Sequence, residues 1–454
     1  MRKGTFTDTM SDSLSIDLAT ITSLCKRRGF IFQSSEIYGG IESIWDYGPL
    51  GVELKNNIRQ HWWNHMVWKR PDMVGLDSSI IMHPNTWKTS GHVSNFNDPL
   101  VECSSCNKRW REDELEELIC PSCNSKLDQP KMFNLMFKTQ MGPITETATE
   151  IYLRPETAQG IFVNFDNVLK SSRKKIPFGI AQTGKAFRNE ITTRNFIFRT
   201  REFEIMELEY FVNPNDADKW FNYWANESLT WIQSLGIQKS NLRTREHQKS
   251  ELAHYSKATS DIEYKFPWGW GEVSGIANRT DYDLKSHSSA TNSNLSYFNE
   301  SEKKHFTPYV IEPTFGLDRI IFMLLVDAYT SEEVSTSSDK PEERVLLKLS
   351  PVISPIKIAI LPLSKNDSLI KIAHEIYTNL VSSNTIRGRI EYDDTQSIGK
   401  RYRRQDEIGT PFCITIDFQS LEDQTVTIRT RDSMNQIRSP IESLVSTLQK
   451  KFTM

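Results

Sequence analysis

The stretch Gly184–Phe211, GKAFRNEITTRNFIFRTREFEIMELEYF, decides how this chain reads. It opens with Arg188 two residues before Glu190, crosses a polar loop carrying Arg194, Arg199 and Arg201, and closes on a segment that alternates with period two. Side chains alternate across a strand, so Phe203, Ile205, Glu207, Glu209 and Phe211 share one face. A strand, an arginine-rich turn and a returning strand predict a hairpin with guanidinium groups at its tip and acids on its floor. Guanidinium groups bind phosphate and carboxylate oxygens bidentately, which suits a polyphosphate, and the acids suit an amine. A hairpin whose outer face carries only solvated charge has the same composition, so composition alone leaves both readings open.

Two more stretches lie on either side, RPETAQGIF at 154–162 and EPTFGLDR at 312–319. In the second, a glycine allows close backbone approach and Arg319 falls on the first turn of an apolar helix. FRNE followed by REFEIMELEYF resembles motif 2 of the class II aminoacyl-tRNA synthetases, and EPTFGLDR resembles motif 3. All three stretches are similar to the homodimeric glycyl-tRNA synthetase family, and the similarity runs from about Phe30 to about Arg438. Two departures stand out: Thr314 replaces a serine common among relatives, and Ile205 replaces a glutamine common among bacterial ones.

The resemblance implies an α+β architecture. An antiparallel-sheet catalytic domain carries a zinc-knuckle insert and is followed by a C-terminal α/β anticodon-binding domain. No GxGxxG or P-loop pattern argues for a Rossmann alternative. The implied reaction is activation of glycine by ATP, with Mg²⁺, and transfer of glycine to the 3′ end of tRNA(Gly). Attack of a carboxylate on the α-phosphate brings two anions together, so it needs positioning and cations more than a protein nucleophile. Carried over residue by residue, the catalytic cations are Arg188 and Arg319. The ATP side takes Arg188, Asn189, Glu190, Phe198, Arg199 and Arg201 from motif 2, together with Phe203, Glu272, Val273, Gly316 and Arg319. The glycine side takes Arg111, Glu156, Phe203 and Glu207, together with Arg279, Glu312, Thr314 and Gly316. Within these sets Glu190 is expected to accept from the adenine amine, Phe203 to stack on the ring, and Glu272 to serve Mg²⁺ or the ribose. Glu156, Glu207 and Glu312 would cage the ammonium.

Composition bounds the rest. With 454 residues, 38% hydrophobic and 25% charged, the chain reads as folded and of two or three domains. Its formal charge of −3 means that any nucleic-acid contact comes from local patches. The longest apolar run, Ile320–Val326, is far short of a membrane span, and the polar start lacks an apolar signal core, so a cytoplasmic protein is expected. Four of six cysteines form CSSC (103–106) and CPSC (120–123), thirteen residues apart. Paired CxxC knuckles let Cys103, Cys106, Cys120 and Cys123 close a tetrahedron around Zn²⁺ with no open position, a structural site.

Along the chain, helical spacing is expected over 15–28 and 51–69, the second with Trp62, Trp63, Met66 and Val67 on its apolar side. By resemblance that long helix and the strand Met73–Pro84 look like motif 1, which implies a homodimer. A further helix is expected over 213–236, and 286–299 reads as a surface loop. Residues 330–351 are charged and serine-rich and read as a connection. The expected division is 1–13 as a disordered N-terminus, 14–335 as the catalytic domain with its insert at 95–130, 336–351 as a linker, and 352–454 as the anticodon-binding domain. This last part carries 14 Lys and Arg against 12 Asp and Glu, with its basic charge in Lys400–Arg404, Arg429, Arg431 and Arg438. Basic residues around an aromatic suit a stacked single-stranded loop, while a solvated helix face would look alike. Two other functions fit parts of the pattern: a nucleic-acid-binding relative without activation chemistry, and a class IIa synthetase for proline, threonine or serine.

Overall fold

The computed structural model describes residues 16–144, 147–192, 195–335 and 341–453. The N-terminal 1–13, Arg194 of the motif 2 loop and the first five residues of the expected linker, 336–340, fall outside them. Helix α1 (Leu18–Arg28) is capped by Asp17, which accepts from the Thr20 amide, and ends on Gly29 in the left-handed region. Helix α2 (Pro49–Trp63) starts on proline, which lacks the amide donor a first turn cannot use, and continues as a wider turn through Trp68. Trp62, Met66 and Val67 are buried as their spacing predicts. After α2, strand β1 (Met73–Gly75) is shorter than expected, and residues from Pro84 are helical.

The platform for the site is a seven-stranded sheet. Its strands are β1, β2 (Phe178–Phe187), β3 (Glu202–Val212), β4 (Leu242–Glu246), β5 (Ala258–Phe266), β6 (Gly269–Thr280) and β7 (Tyr309–Gly316). They lie in the order β4-β5-β6-β7-β3-β2-β1, antiparallel except where β1 joins β2. The decisive stretch forms the expected hairpin, with Glu202↔Phe187 through Phe211↔Phe178 in unbroken register. Short α3 (Ala158–Val163) packs on β3 and carries Gly160, where a Cβ would sit 1.9 Å from Ser78 Oγ. Helix α4 (Ala217–Ser234) covers the sheet with buried Trp224 and Trp231. Where a loop was expected from Ser286, helix α5 (Tyr282–Thr291) forms; its Lys285 and Ser289 are exposed and Leu284 and His287 face in.

Helix α6 (Leu317–Ala328) is buried along nearly its whole length, with only Arg319 and Asp327 partly exposed. Its Asp318 accepts from the Glu204 amide at 2.6 Å and from the Tyr47 hydroxyl, and Lys55 and Arg59 of α2 pair with Glu204 at 2.7 and 3.0 Å. That polar seam fixes α2, β3 and α6 to one another beneath the cleft.

The serine-rich connection is not irregular: β8 (Tyr329–Ser335) and β9 (Pro341–Leu347) pair antiparallel from Tyr329↔Leu347 to Ser335↔Pro341. Beyond it, β10 (Ile356–Pro362), α7 (Asp367–Ser382), β11 (Arg389–Tyr392), α8 (Ile398–Glu407), β12 (Phe412–Ile416), β13 (Thr425–Thr430) and β14 (Gln436–Pro440) form an α/β unit. Its sheet order is β11-β10-β12-β13-β14, parallel around β10 and antiparallel beyond β12. Ile353, Ile356 and Ile408 belong to the same apolar cluster as α2 and α6, so this unit is packed onto the first and not tethered to it. Among the described residues no helix is long and apolar enough to cross a membrane.

Candidate active site

The face of β3 that carries Phe203, Ile205 and Glu207 forms the floor of a cleft with two ends. Arg188, Ile205, Glu272 and Thr314 line both ends, which makes them one continuous space. Ile205 pairs with Gly184 on β2 and Gly316 on β7, so its side chain stands between two residues that have none and forms the ledge at the junction.

At the first end Phe198, Arg199, Phe203, Gly316 and Arg319 gather around Glu190. The Arg188 guanidinium lies 5.3 Å from the rings of both Phe96 and Phe203, its Nε donates to Pro155 O at 3.1 Å, and it has no carboxylate partner among the described residues. Arg319 lies 4.7 Å from the Phe198 ring and reaches Glu272 Oε2 at 3.1 Å. At Gly316 a Cβ would stand 3.3 Å from Arg319 Cδ, so a larger residue there would press on that side chain.

The second end is acidic and buried. Thr314 Oγ1 donates to Glu207 Oε1 at 2.9 Å, while the amide and hydroxyl of Thr157 donate to Oε2 at 3.1 and 2.5 Å. The hydroxyl that Thr314 shares with serine therefore has a definite task, aiming Glu207. Arg279 sits at an irregularity of register between Asn278 and Thr280, where one extra residue re-aims the side chain into the site. Its Nε and Nη2 hold Asp283 at 2.8 and 2.9 Å, Nη1 holds Glu312 at 2.8 Å, and the Tyr255 ring lies 3.9 Å from the guanidinium carbon. Burial alone would raise the Glu156 carboxyl, but the charges of His92, at 3.2 Å, and Arg279 outweigh it and hold the group well below the usual range. Burial raises Glu207 and Glu312, the latter despite Arg279.

Several sequence-derived assignments sit elsewhere. Asn189 and Arg201 line a larger neighbouring groove of about 1110 Å³, between the knuckle insert and Asn189–Thr192, and Glu190 borders both spaces. Arg111 is held by Asp98 at 2.6 Å and Asp113 at 2.7 Å and lines neither end of the cleft. Val273 is core, 1% exposed, and lines neither end of the cleft. Conversely, sequence reading passed over Tyr255, Asp261, His247, Asp283 and Gln159. Gln159 bridges Glu156, Asp283 and His287 at 3.1, 2.8 and 2.8 Å. No local signal marks these residues; tertiary packing brings His247, Tyr255 and Asp261 to the cleft and sets Asp283 and Gln159, both on helices, behind its acids.

The four knuckle cysteines meet. Cys103–Cys123 and Cys106–Cys120 sulfurs lie 3.5 and 3.6 Å apart, and all four lie within 4.8 Å of one another. The two turns are copies: Asn107 and Asn124 both adopt φ 56°, and their amides donate to Cys103 O and Cys120 O. Four sulfurs at Zn–S bonds of about 2.3 Å stand roughly 3.8 Å apart, so the donor set fits zinc.

Two family models match the chain: tRNA synthetase class II core domain (G, H, P, S and T) over residues 137–328, and anticodon binding domain over residues 357–451. Glycine–tRNA ligase of Cutibacterium acnes is 52% identical to this chain, covering 94% of each. The chain belongs to the glycine–tRNA ligase family. Glycine–tRNA ligases of Thermobifida fusca and Treponema denticola are 51% and 50% identical, across 95% and 96% of this chain and 97% of their own. The class II core match runs through β2, β3, β6 and β7 and ends with α6, so the strands that build the cleft are the ones the family model covers. The second match takes in nearly all of the C-terminal α/β unit.

Proposed function

We propose that this chain condenses glycine with ATP to glycyl-adenylate and then transfers glycine to the 3′ end of tRNA(Gly). A glycine carboxylate oxygen attacks the α-phosphorus, and the bond from that phosphorus to the pyrophosphate leaving group breaks. The observation that carries the reading is the polarity of the cleft: arginines at one end, three carboxylates converging at the other. An amino acid laid across it has its ammonium among Glu156, Glu207 and Glu312 and its carboxylate toward Arg188. Arg188 would also meet the α-phosphate and Arg319 the terminal phosphates. Glu190 would accept from the adenine amine, and Phe203 would stack on the ring. Arg279 has its donors on Asp283 and Glu312, which supports orienting the acids over binding substrate carboxylate. Glycine has no side chain to fill a pocket, so selection comes from fixing both charged ends and leaving no room beside the α-carbon.

Glu272 would hold Mg²⁺, which when bound neutralises phosphate charge. Glu272 Oε1 and Asp261 Oδ1 converge over Gly275, 3.6 and 3.7 Å from where a Cβ would stand, an oxygen-rich corner of the kind Mg²⁺ prefers. Zn²⁺ would be held by Cys103, Cys106, Cys120 and Cys123 in a structural role, and elemental analysis should find about one zinc per chain. Residues 14–335 would act as the catalytic domain and 352–454 as the anticodon-binding domain. Two copies would pair beside α2, where Ile37, Tyr38 and Val52 are 89, 87 and 41% exposed; sedimentation should find a dimer.

The deciding experiment is ATP–pyrophosphate exchange run separately with glycine, alanine, proline, threonine and serine. Exchange with glycine alone is expected. Exchange with another amino acid would reassign the substrate, and none at all would make the chain a binding protein.

A further inference from the structure

Glu209 is a buried acid in the floor of the sheet to which the proposed reaction gives no role. It lies on the face of β3 that carries Glu207, one pleat deeper. The register from Glu207↔Thr314 to Tyr210↔Ile311 sets it opposite Glu312 on β7. The residue is 0% exposed, and neither carboxyl oxygen has a hydrogen-bond partner. Yet single oxygens of Glu207, Glu209 and Glu312 lie within 4.8 Å of one another. On its other side Glu209 pairs with Ile180 of β2, and α3 lays the apolar cluster of Ala158, Ile161 and Phe162 on the strand. The charged groups that face it are Glu207 from β3, Glu312 from β7, Arg279 from β6 and Asp283 from α5.

An ionised carboxylate in that position would have two like charges beside it and no donor. Arg279, the cation facing it, has turned its donors to Asp283 and Glu312. Buried acids so placed take up a proton, and two carboxylates in contact share one. Glu312 already accepts from Arg279, so the proton belongs on Glu209. Burial first, and then the Glu312 charge, push the Glu209 carboxyl well above the usual range.

We propose that Glu209 is a protonated positioning residue beneath the ammonium cage, its hydroxyl directed at Glu312 and holding that carboxylate toward the glycine ammonium. A neutral Glu209 also leaves the cage one negative charge lighter, which reduces the repulsion among Glu156, Glu207 and Glu312. The inference rests on the reading of Glu312 as an ammonium ligand.

The test uses the full chain with Glu209→Gln, which keeps a donor, and Glu209→Met, which keeps the shape and removes it. In glycine-dependent pyrophosphate exchange, the glutamine variant should keep its KM for glycine within about twofold. The methionine variant should raise that KM roughly ten- to hundredfold, the worth of one hydrogen bond to a charged group, with kcat and the KM for ATP unchanged. The infrared spectrum of the wild-type protein at neutral pH should contain a buried carboxylic-acid carbonyl band that Glu209→Gln removes. A glutamine variant as impaired as the methionine one, or no such band, would make Glu209 ionised and overturn the proposal. A methionine variant with wild-type KM for glycine would overturn the positioning role. Should methionine prevent folding, the glutamine variant and the infrared band decide alone. The band is read without substrate, so its absence and a failure of glycine to support exchange are separate results.

Discussion

The arginines of the cleft and the arginines of the C-terminal unit have opposite fates. Arg188 and Arg319 lie against aromatic rings with their guanidinium groups bordering open space. Arg401, Arg429 and Arg431 are 2, 4 and 3% exposed, and each is spent inside the protein. Arg401 donates to the carbonyls of Pro362, Asp393 and Leu363; Arg431 donates to Gly409 O; Arg429 and Arg344 converge on Asp406. The expectation that Lys400–Arg404, Arg429, Arg431 and Arg438 form one RNA-facing patch is therefore corrected. Arg404 is paired with Asp393 and Arg438 with Asp417; exposed Lys400 and partly exposed Arg403, which reaches the exposed Glu342 at 3.6 Å, are the outward cations of that helix. A basic run in sequence reports charge but not direction. Where a helix packs on a sheet edge, its inward arginines cap carbonyl ends and close loops, and only the outward ones meet a ligand.

The largest effect should come from the internal set. Asp406 is 0% exposed and accepts from Arg344 at 2.8 Å and from both Arg429 nitrogens at 2.8 and 3.0 Å, tying the hairpin β8–β9 to α8 and β13. Asp406→Ala leaves the buried Arg429 guanidinium without a carboxylate among the described residues and Arg344 with Glu332 alone, and breaking a buried pair in this way costs about 3–5 kcal/mol. Denaturant unfolding should show that loss, while glycine exchange per folded molecule stays near wild type. If exchange fell as far as stability, the two arginine sets would not be separable.

Arg188→Ala should do the reverse. Losing a preorganised cation where charge develops typically costs ~10²–10³ in rate. Exchange should fall by that factor with the unfolding midpoint unchanged. A stability loss comparable to that of Asp406→Ala would mean that Arg188 is also a strut.

The contrast shows what the sequence made legible. Alternation in 202–212, the glycine-then-arginine order of 316–319 and the doubled CxxC each act within a few residues, and each appears as expected. The cleft's supporting groups do not act locally. Asp283 reaches Arg279 from the first turn of a helix whose later part, from Ser286, the sequence read as a loop, and Gln159 reaches Asp283 across 124 residues of chain. The hairpin at 329–347 was invisible because its outward residues are Ser and Glu, while Leu346, Leu347 and Arg344 anchor it from beneath. Arg401 was misread because the depth of a helix face is set by what packs on it, not by its charge.

A smaller effect tests the outward cations. Lys400→Ala with Arg403→Ala should weaken tRNA binding and flatten its salt dependence, by about 0.7–0.9 in the log–log slope for each phosphate that no longer meets a cation. Glycine exchange without tRNA should not change. Arg404→Ala is the internal comparison: its partner Asp393 makes it a fold residue, and an equal flattening there would return it to the RNA face.

The smallest effect concerns a buried cation that is not an arginine. Lys357 on β10 is 2% exposed and donates to Pro351 O at 3.0 Å and Val352 O at 2.5 Å, and Glu53 is an opposite charge that acts on it without forming an ion pair. Burial brings its ammonium down to about 7 from 10.5, something a guanidinium in the same place would resist. In the unfolded chain the lysine keeps its proton up to about 10.5. Between roughly pH 7 and 10.5 the unfolded state therefore binds the extra proton, and stability rises with pH across that window. Below about 7 both states are protonated and the full penalty of burying the charge remains. Lys357→Met removes the charge but strands two carbonyls, so the sign of its effect at one pH says little. The slope is the readout: from pH 7 to 9 the wild-type midpoint should rise relative to the methionine variant, by at most about 1.4 kcal/mol per pH unit. Parallel curves would show Lys357 charged in the folded protein at pH 9, paired as the C-terminal arginines are, and the contrast between lysine and arginine as internal struts would then disappear.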